Sequence, residues 1–305
     1  MNKLAKRSIY TAFTFAVIGV GVYQGVYQGL FNHKPFIDFV FEFGDAVNQS
    51  DFMPEHSGVE YEVTLPAQSE FPVPAELLQP SGISISEQGI LVVGDTTDVF
   101  WLSLDGNEKA RLQLEEAPLL LRQGLYEGVT WVDDELAAVI GHEGRVLTLL
   151  ELSQNGIQPV KTLELNQAIS PQIELQALAF NQADDLFYAL YADQDGAVQT
   201  VTIGLDGNVS NATQIDTSIL GAKLGDILGS AWSNNTLFAL TNNNMILAIE
   251  NNVVTQVFAL DYAADTSGLA VYAGSLYLVT DHEYYQAQPP IKVFDLPNQE
   301  MLRSS

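Results

Sequence analysis

The sequence predicts an all-β fold, a five-bladed β-propeller, preceded by one N-terminal transmembrane helix. Three observations lead to this prediction. A pattern of short apolar strands separated by turn residues recurs five times between residues 59 and 298. Phenylalanine and tyrosine, which favour strands, number 15 and 12 against four methionines. A stretch of uncharged residues, 9–31, follows Lys3, Lys6 and Arg7 near the start of the chain.

The uncharged stretch is long enough to cross a membrane as a helix, because about 20 residues span the hydrocarbon core. The basic residues before it are expected to stay in the cytoplasm, which places the rest of the chain outside. A cleaved signal peptide is the alternative, but no Ala-x-Ala cleavage signal occurs between Gly19 and Lys34. We therefore expect residues 1–31 to be a membrane anchor or signal peptide. The protein is then a single-pass inner-membrane protein with its C-terminal domain in the periplasm.

Composition excludes several classes of function. The chain has 12 basic and 38 acidic residues, a formal net charge of −26, which repels the phosphates of nucleic acids. It has no cysteine, so disulfides, thiolate metal sites and cysteine nucleophiles are excluded. The expected partners are the inner membrane, through the N-terminal helix, and an unknown small ligand or envelope protein.

Four segments follow from these patterns. After the anchor, residues 32–58 form a tether that mixes proline, glycine and amide residues with a cluster of phenylalanines. The predicted propeller covers residues 59–298, and residues 299–305 form a short tail.

Each repeat begins with a small residue in a short apolar strand. These small residues stand at positions 82, 128, 177, 230 and 268, in steps of 46, 49, 53 and 38 residues. A second apolar strand, a polar break and a third strand follow, and the third strand ends in a turn such as Asp105-Gly106 or Asn155-Gly156. Four short strands at about 40–50 residues per repeat indicate a propeller blade, although a β-sandwich of similar strands is the alternative.

The fifth repeat lacks an outer strand because the chain ends soon after its third strand. Residues 60–65, Glu-Tyr-Glu-Val-Thr-Leu, form an alternating strand before the first repeat. We expect this strand to complete the last blade and close the ring, which removes the exposed edges of an open array.

Three first strands resemble a known family. Ser81-Gly82-Ile83, Glu127-Gly128-Val129-Thr130-Trp131 and Ser267-Gly268-Leu269-Ala270, with acidic residues at the end of the next strand, resemble the SdiA-regulated (YjiK-like) proteins. The resemblance covers about residues 59–297. It implies a membrane-anchored, five-bladed propeller that is distantly related to NHL repeats and carries a calcium site.

The resemblance also implies which residues hold calcium. Family members often have Glu before the glycine of several blades, and here Glu127 alone keeps it. Ser81, Gln176, Gly229 and Ser267 stand at the equivalent positions. Glu143 corresponds to the acid of the Asp-Glu-Arg-like element that follows the second strand of the second blade.

A second set of candidates comes from propeller geometry. The start of a first strand and the end of a second strand lie at the same end of a blade, so polar residues at these places should form a rim around the channel. The rim candidates are Asp95, His142, Gln176, Asp193, Asn243, Asp265 and His282, with Asp226 at a strand start and Asp281 beside His282.

Three interpretations of this rim are open. Carboxylate and amide oxygens suit calcium, with Glu127, Glu143 and Asp281 as the expected ligands. The pairs His142-Glu143 and His282-Glu283 suit zinc, manganese or iron instead. Aspartate and asparagine also end strands for turn geometry alone, without any ligand.

Signatures of common enzyme classes are missing from the sequence. It contains no G-x-S-x-G, H-E-x-x-H, glycine-rich phosphate loop or dinucleotide fingerprint. We expect a periplasmic propeller that binds calcium or a small ligand. The alternatives are a metal-dependent hydrolase of the lactonase or phosphoesterase class, with Glu127, Glu143 and His282 as its acid–base candidates, and a scaffold for envelope proteins.

Overall fold

The structure is a computed structural model. It describes residues 63–74, 76–77, 80–94, 98–112, 126–141, 146–165, 175, 177–193, 196–220, 226–260, 266–280 and 290–296. All of these belong to the compact unit Gly58–Ser305. The predicted anchor, tether and tail lie outside the described residues. In the parts of the chain that the structure describes, no helix combines the length and hydropathy required to span a bilayer.

The described strands form five antiparallel blades, which confirms the predicted all-β, five-bladed propeller. Two strands precede the first blade, β1 (Val63–Leu65) and β2 (Ser69–Pro72). Within each blade the strands pair in chain order, and the first strand contacts the first strands of the neighbouring blades. These first strands therefore surround the central channel.

The blades have the following strands. Blade 1 contains β3 (Pro80–Ser86), β4 (Gly89–Gly94), β5 (Val99–Leu102) and β6 (Glu108–Leu112). Blade 2 contains β7 (Tyr126–Trp131), β8 (Leu136–Gly141), β9 (Val146–Ser153) and β10 (Gly156–Glu164). Blade 3 contains β11 (Ala177–Asn181), β12 (Leu186–Ala192), β13 (Val198–Gly204) and β14 (Thr213–Gln214). Blade 4 contains β15 (Ile227–Ser233), β16 (Thr236–Thr241), β17 (Met245–Glu250) and β18 (Val253–Leu260). Blade 5 contains β19 (Thr266–Tyr272), β20 (Ser275–Thr280) and β21 (Pro290–Asp295).

Short turns join the strands, and their residues explain the local chain reversal. Blade 4 uses two Asn-Asn turns, Asn234-Asn235 and Asn251-Asn252, in which all four residues have φ between 50° and 66°. Asparagine tolerates this left-handed conformation, which two-residue hairpins require at both positions. The predicted Asn251-Asn252 turn is therefore confirmed.

The hydrophobic core lies between blades rather than in one central cluster. Five clusters of buried side chains each join two neighbouring blades. Between blades 1 and 2, Trp101 and Trp131 meet edge to face with ring centroids 6.3 Å apart. Between blades 5 and 1, Ile291 packs in the same cluster as Ile83, and this contact closes the ring. Every blade thus depends on two neighbours for the burial of its apolar faces.

The ring is closed by a different strand from the one the sequence predicted. Strand β2 pairs antiparallel with β21, with Ser69 opposite Val293 and Phe71 opposite Ile291, and Lys292 forms an ion pair with Glu70. Strand β1, which contains the end of the predicted strand 60–65, instead pairs in parallel with β18 of blade 4.

The error has a physical reason. Residues 60–65 alternate more regularly, whereas β2 is polar and ends in Pro72. A proline lacks the N–H that a central strand must donate, but it is tolerated in an outer strand with one free edge. The prediction that a strand before the first repeat completes the last blade is confirmed, and only its residues were wrong.

Glycines at the start of the first strands allow neighbouring blades to approach closely. A Cβ atom on Gly82 would lie 2.8 Å from the backbone oxygen of Glu127, and one on Gly229 would lie 2.8 Å from the backbone nitrogen of Leu269. A bulge precedes Gly82, Gly128, Gly229 and Gly268 alike. The aligned residue of blade 4 is therefore Gly229 and not Ser230, so the last two steps of the repeat are 52 and 39 residues.

Candidate functional site

The predicted rim lies where first strands begin and second strands end. Among its candidates, the structure describes four residues, Glu127, Asp193, Asp226 and Asn243. Glu127 is the second residue of β7 and is half-buried, and Asp226 directly precedes β15. Asp193 and Asn243 follow the second strands β12 and β16. Because paired strands are antiparallel, all four stand at the same end of their respective blades.

The remaining predicted residues lie outside the described part of the chain, so their convergence with Glu127 stays a prediction. They are Asp95, His142, Glu143, Gln176, Asp265, Asp281 and His282. Within the described residues, no group of three or more His, Asp and Glu side chains is close enough to hold a metal ion. A calcium site at Glu127 therefore requires ligands from the undescribed candidates.

Asp193 has a role in its own turn. One carboxylate oxygen, Oδ1, accepts a hydrogen bond from the backbone N–H of Ala197 at 2.9 Å. The other, Oδ2, accepts one from Nε2 of Gln199 at 3.0 Å. This pattern is typical of an aspartate that stabilises a turn through its side chain. The turn interpretation therefore accounts for these two hydrogen bonds of Asp193.

The alignment of the rim shifts by one residue in blade 4. Thr241 pairs with Ile227 before the bulge, just as Gly94 pairs with Pro80 and Gly141 with Tyr126. The next residue in blade 4 is Asn242 and not Asn243. Its backbone N–H donates to the Asp226 carbonyl at 3.0 Å, and its Nδ2 donates to Asp226 Oδ2 at 3.4 Å. The residue aligned with Asp95 and His142 is therefore Asn242. In blade 5, Thr280 pairs with Thr266 in the same way, so the aligned residue there is Asp281 and not His282.

Hydroxyl groups connect the first strands across blade boundaries. Ser84 Oγ accepts a hydrogen bond from the N–H of Trp131 at 3.1 Å, and Thr130 Oγ1 accepts one from the N–H of Phe180 at 3.2 Å. Ser81 Oγ donates to the carbonyl of Tyr126 at 2.5 Å. Backbone groups on the channel side of a first strand have no further strand to pair with, and these hydroxyls satisfy some of them.

The tyrosine beside Glu127 belongs to the core. Tyr126 is 2% exposed and packs in the cluster between blades 1 and 2. Burial raises the pKa of its hydroxyl, with a smaller contribution from the negative charge of Asp98. Tyr126 therefore stays protonated at neutral pH. Its packing in the core helps to fix the start of β7, where Glu127 is the next residue.

The opposite end of the channel holds a cavity that the sequence did not predict. Its volume is about 350 Å³, and it is lined by the last residues of the first strands and by the turns that follow them. Trp131, Trp232, Gln182 and Asn235 are among the lining residues. A signal was present, because Trp131 and Trp232 each stand three residues after the aligned glycine of their blade.

The cavity has one aromatic wall that is fixed in place. The rings of Tyr188 and Trp232 pack with centroids 4.6 Å apart and an interplanar angle of 33°. The hydroxyl of Tyr188 donates to Asp184 Oδ2 at 2.7 Å. Burial, together with this hydrogen bond, raises the pKa of Tyr188 to about 12. The hydroxyl therefore remains a donor at physiological pH and holds the tyrosine against Trp232.

Comparison with known proteins identifies the fold and no family. No family model and no curated protein matches the chain. The chain is similar to the crystal structure of glutaminyl cyclase from Myxococcus xanthus, at 15% identity and a TM-score of 0.57. The match covers 78% of this chain and 100% of that one.

Two further likenesses are weaker. A protein of unknown function from Bacteroides caccae matches at 15% identity and a TM-score of 0.44, over 67% of this chain and 72% of that one. BamB from Moraxella catarrhalis matches at 12% identity and a TM-score of 0.35, over 70% and 71% of the two chains. Neither supports a conclusion about function. The comparisons, taken with the described strands, show that this chain carries a five-bladed β-propeller.

Proposed function

We propose that this protein is a membrane-anchored periplasmic β-propeller of the SdiA-regulated type. In this proposal it is a binding module that holds calcium at the channel end where the first strands begin. The observation that carries the proposal is the position of Glu127. Its carboxylate belongs to a half-buried residue at the start of β7, where the backbone of blade 2 approaches Gly82 of blade 1 closely.

Calcium is the ligand proposed for this end because of its preference for oxygen. It takes 6–8 oxygen ligands, which carboxylates, amides and backbone carbonyls supply. Asp226 and Asn242 stand at the same end of blade 4, where they hydrogen-bond to each other. Glu143 and Asp281 are the further ligands proposed, since Glu127 alone cannot complete such a site. The negative charge of the chain, −26, attracts cations to its surface.

Thermal unfolding of the full chain tests the calcium site. A ligand that binds only the folded state stabilises it by RT ln(1 + [L]/Kd), which is about 2.7 kcal/mol at a hundredfold excess over Kd. Millimolar calcium should therefore raise the unfolding temperature, whereas sodium at matched ionic strength should not. Glu127→Gln should remove most of the shift.

Glu151→Gln is the matched control. Glu151 is exposed on β9 and loses the same charge, so its calcium shift should equal that of the wild type. If calcium and sodium act alike on the wild type, the rim is only a solvated acidic surface. A reporter fused after Ser305 tests the location separately, because it should be active only in the periplasm.

A second candidate function is an enzyme that works at the same channel end. The structural neighbour from Myxococcus xanthus is a glutaminyl cyclase, so a propeller of this kind can carry catalysis. Glu127, Glu143 and His282 are the acid–base groups proposed for a metal-dependent hydrolase of the lactonase or phosphoesterase class. Assays with glutaminyl peptides, lactones and phosphoesters test it. Turnover that Glu127→Gln abolishes would support an enzyme, and no turnover would favour the binding module.

A further inference from the structure

The cavity at the other end of the channel has its own chemistry. It lies where the first strands end, the side opposite to the start of β7 that carries Glu127. Among the described residues, no Asp, Glu, Lys, Arg or His lines it, although the chain has 38 acidic residues. Without a counter-charge, the cavity would hold an ion only at a high desolvation cost. It is therefore suited to a neutral molecule.

Hydrogen-bonding groups make up much of the wall. Nine of the nineteen described residues that line it carry a hydroxyl or an amide side chain. Asn234 and Asn235 are exposed, so their side-chain amides remain accessible to a molecule in the cavity.

The aromatic wall supplies a flat apolar surface. Trp232 is half-buried, and its contact with Tyr188 fixes the indole before any ligand arrives. A fixed ring binds with less loss of side-chain entropy than a free one. The volume of about 350 Å³ falls within the usual range of ligand pockets.

We propose that this cavity is a second binding site and that it takes a neutral sugar of one or two rings. A pyranose has an apolar C–H face that stacks on an indole and equatorial hydroxyls that bond to amides and hydroxyls. The cavity offers both features and no charge. The site is separate from the proposed calcium site, so either can fail without the other.

Binding is measured on the full chain, purified in a detergent without a sugar headgroup. Glucose, N-acetylglucosamine, maltose and cellobiose are the probes, with acetate and phosphate as charged controls. Saturation-transfer NMR reports contact with the sugar, and tryptophan fluorescence gives the affinity. At least one sugar should bind, and the anions should not.

Two variants locate the binding. Trp232→Ala should weaken affinity about tenfold or more, because it removes the stacking surface, whereas Trp232→Phe should stay within about threefold. The double change Asn234→Gly with Asn235→Gly removes two amides from the wall, and glycine accepts their positive φ without strain. It should weaken affinity about fivefold.

Blade 4 contains a matched control for the second variant. The turn Asn251-Asn252 has the same residues and the same positive φ but does not line the cavity. Asn251→Gly with Asn252→Gly should leave affinity unchanged. The proposal is overturned if no sugar of the panel binds, if the anions bind instead, or if the Asn234/Asn235 variant binds as well as its control.

Discussion

The two ends of the first strands differ in packing and in chemistry. At their start, backbones approach so closely that a Cβ on Gly82, Gly229 or Gly268 would collide with the next blade. At their end, the same strands surround a cavity of about 350 Å³ with indole, hydroxyl and amide groups on its wall. The contrast shows how five blades can share one short channel. At one end, glycines let neighbouring blades pack closely. At the other end, the first strands surround a cavity whose wall carries larger side chains.

Both ends of the channel require a closed ring, so breaking the closure should have the largest effect on stability. Deleting residues 69–72 removes the outer strand of blade 5 and should abolish cooperative unfolding. Deleting residues 63–65 removes only a three-residue strand added in parallel to blade 4, and should leave a folded protein of lower stability. Circular dichroism during heating separates the two. A cooperative transition without residues 69–72 would show that β2 does not close the ring.

The tight end can be tested at a single glycine. A Cβ on Gly268 would lie 2.8 Å from Val279 Cγ2 and 2.9 Å from the Cα of Gly82. Because backbone atoms cannot move aside cheaply, Gly268→Ala should lower the free energy of unfolding by about 2–3 kcal/mol. Urea denaturation measures the loss. Gly141→Ala is the control, since its new Cβ would have no neighbour nearer than 3.7 Å among the described residues. Equal losses in the two variants would refute the packing argument.

The hydroxyl bridges that join blades along the first strands should contribute less. Ser84→Ala and Thr130→Ala each leave the N–H of a neighbouring strand without its acceptor. Each should cost about 1–2 kcal/mol of unfolding free energy. Ser275→Ala is the control, because that hydroxyl makes only a long, exposed hydrogen bond of 3.4 Å. Losses no larger than the control's would mean that water replaces the bridges.

The smallest expected effect concerns the aromatic wall at high pH. The pKa of Tyr188 is raised from 10.0 to about 12, so its protonated form is favoured in the folded protein. The stability gained from this preference is complete below about pH 10 and is lost as the pH rises through about 12. Tyr188→Phe should therefore lose less thermal stability across that interval than the wild type. Identical losses in the two proteins would show that folding does not raise the pKa of Tyr188.

The period of the sequence was enough to predict the number of blades. Small residues followed by paired apolar runs mark each first and second strand, and this pattern is local. Ring closure could not be predicted as well, because it joins Ser69 to Val293 and depends on which N-terminal strand reaches the last blade. Residues 60–65 alternate more regularly between two kinds of side chain, but β2 is the strand that pairs with β21, in an outer position where Pro72 is tolerated.

The candidate site was predictable only in part, for a related reason. Glu127 became a candidate because its Glu-Gly pair resembles a family pattern at the start of a strand, and such a pattern is local in the sequence. The shift from Asn243 to Asn242 depends on the pairing of Thr241 with Ile227, and three consecutive asparagines, 242–244, gave the sequence no means to tell which of them follows that pair. The cavity is lined by residues of several blades, among them Trp131 of blade 2 and Trp232 of blade 4. No spacing within one repeat reveals which residues of different blades line a common cavity.

Calorimetric titration of calcium into the full chain measures binding at the proposed site itself. The wild type should bind calcium saturably, and Glu127→Gln should abolish that binding. Glu151→Gln and Trp232→Phe should bind calcium as the wild type does, because one is on an outer face and the other is at the opposite channel end. A wild type that binds no calcium, or a Glu127→Gln variant that binds it unchanged, would contradict the account.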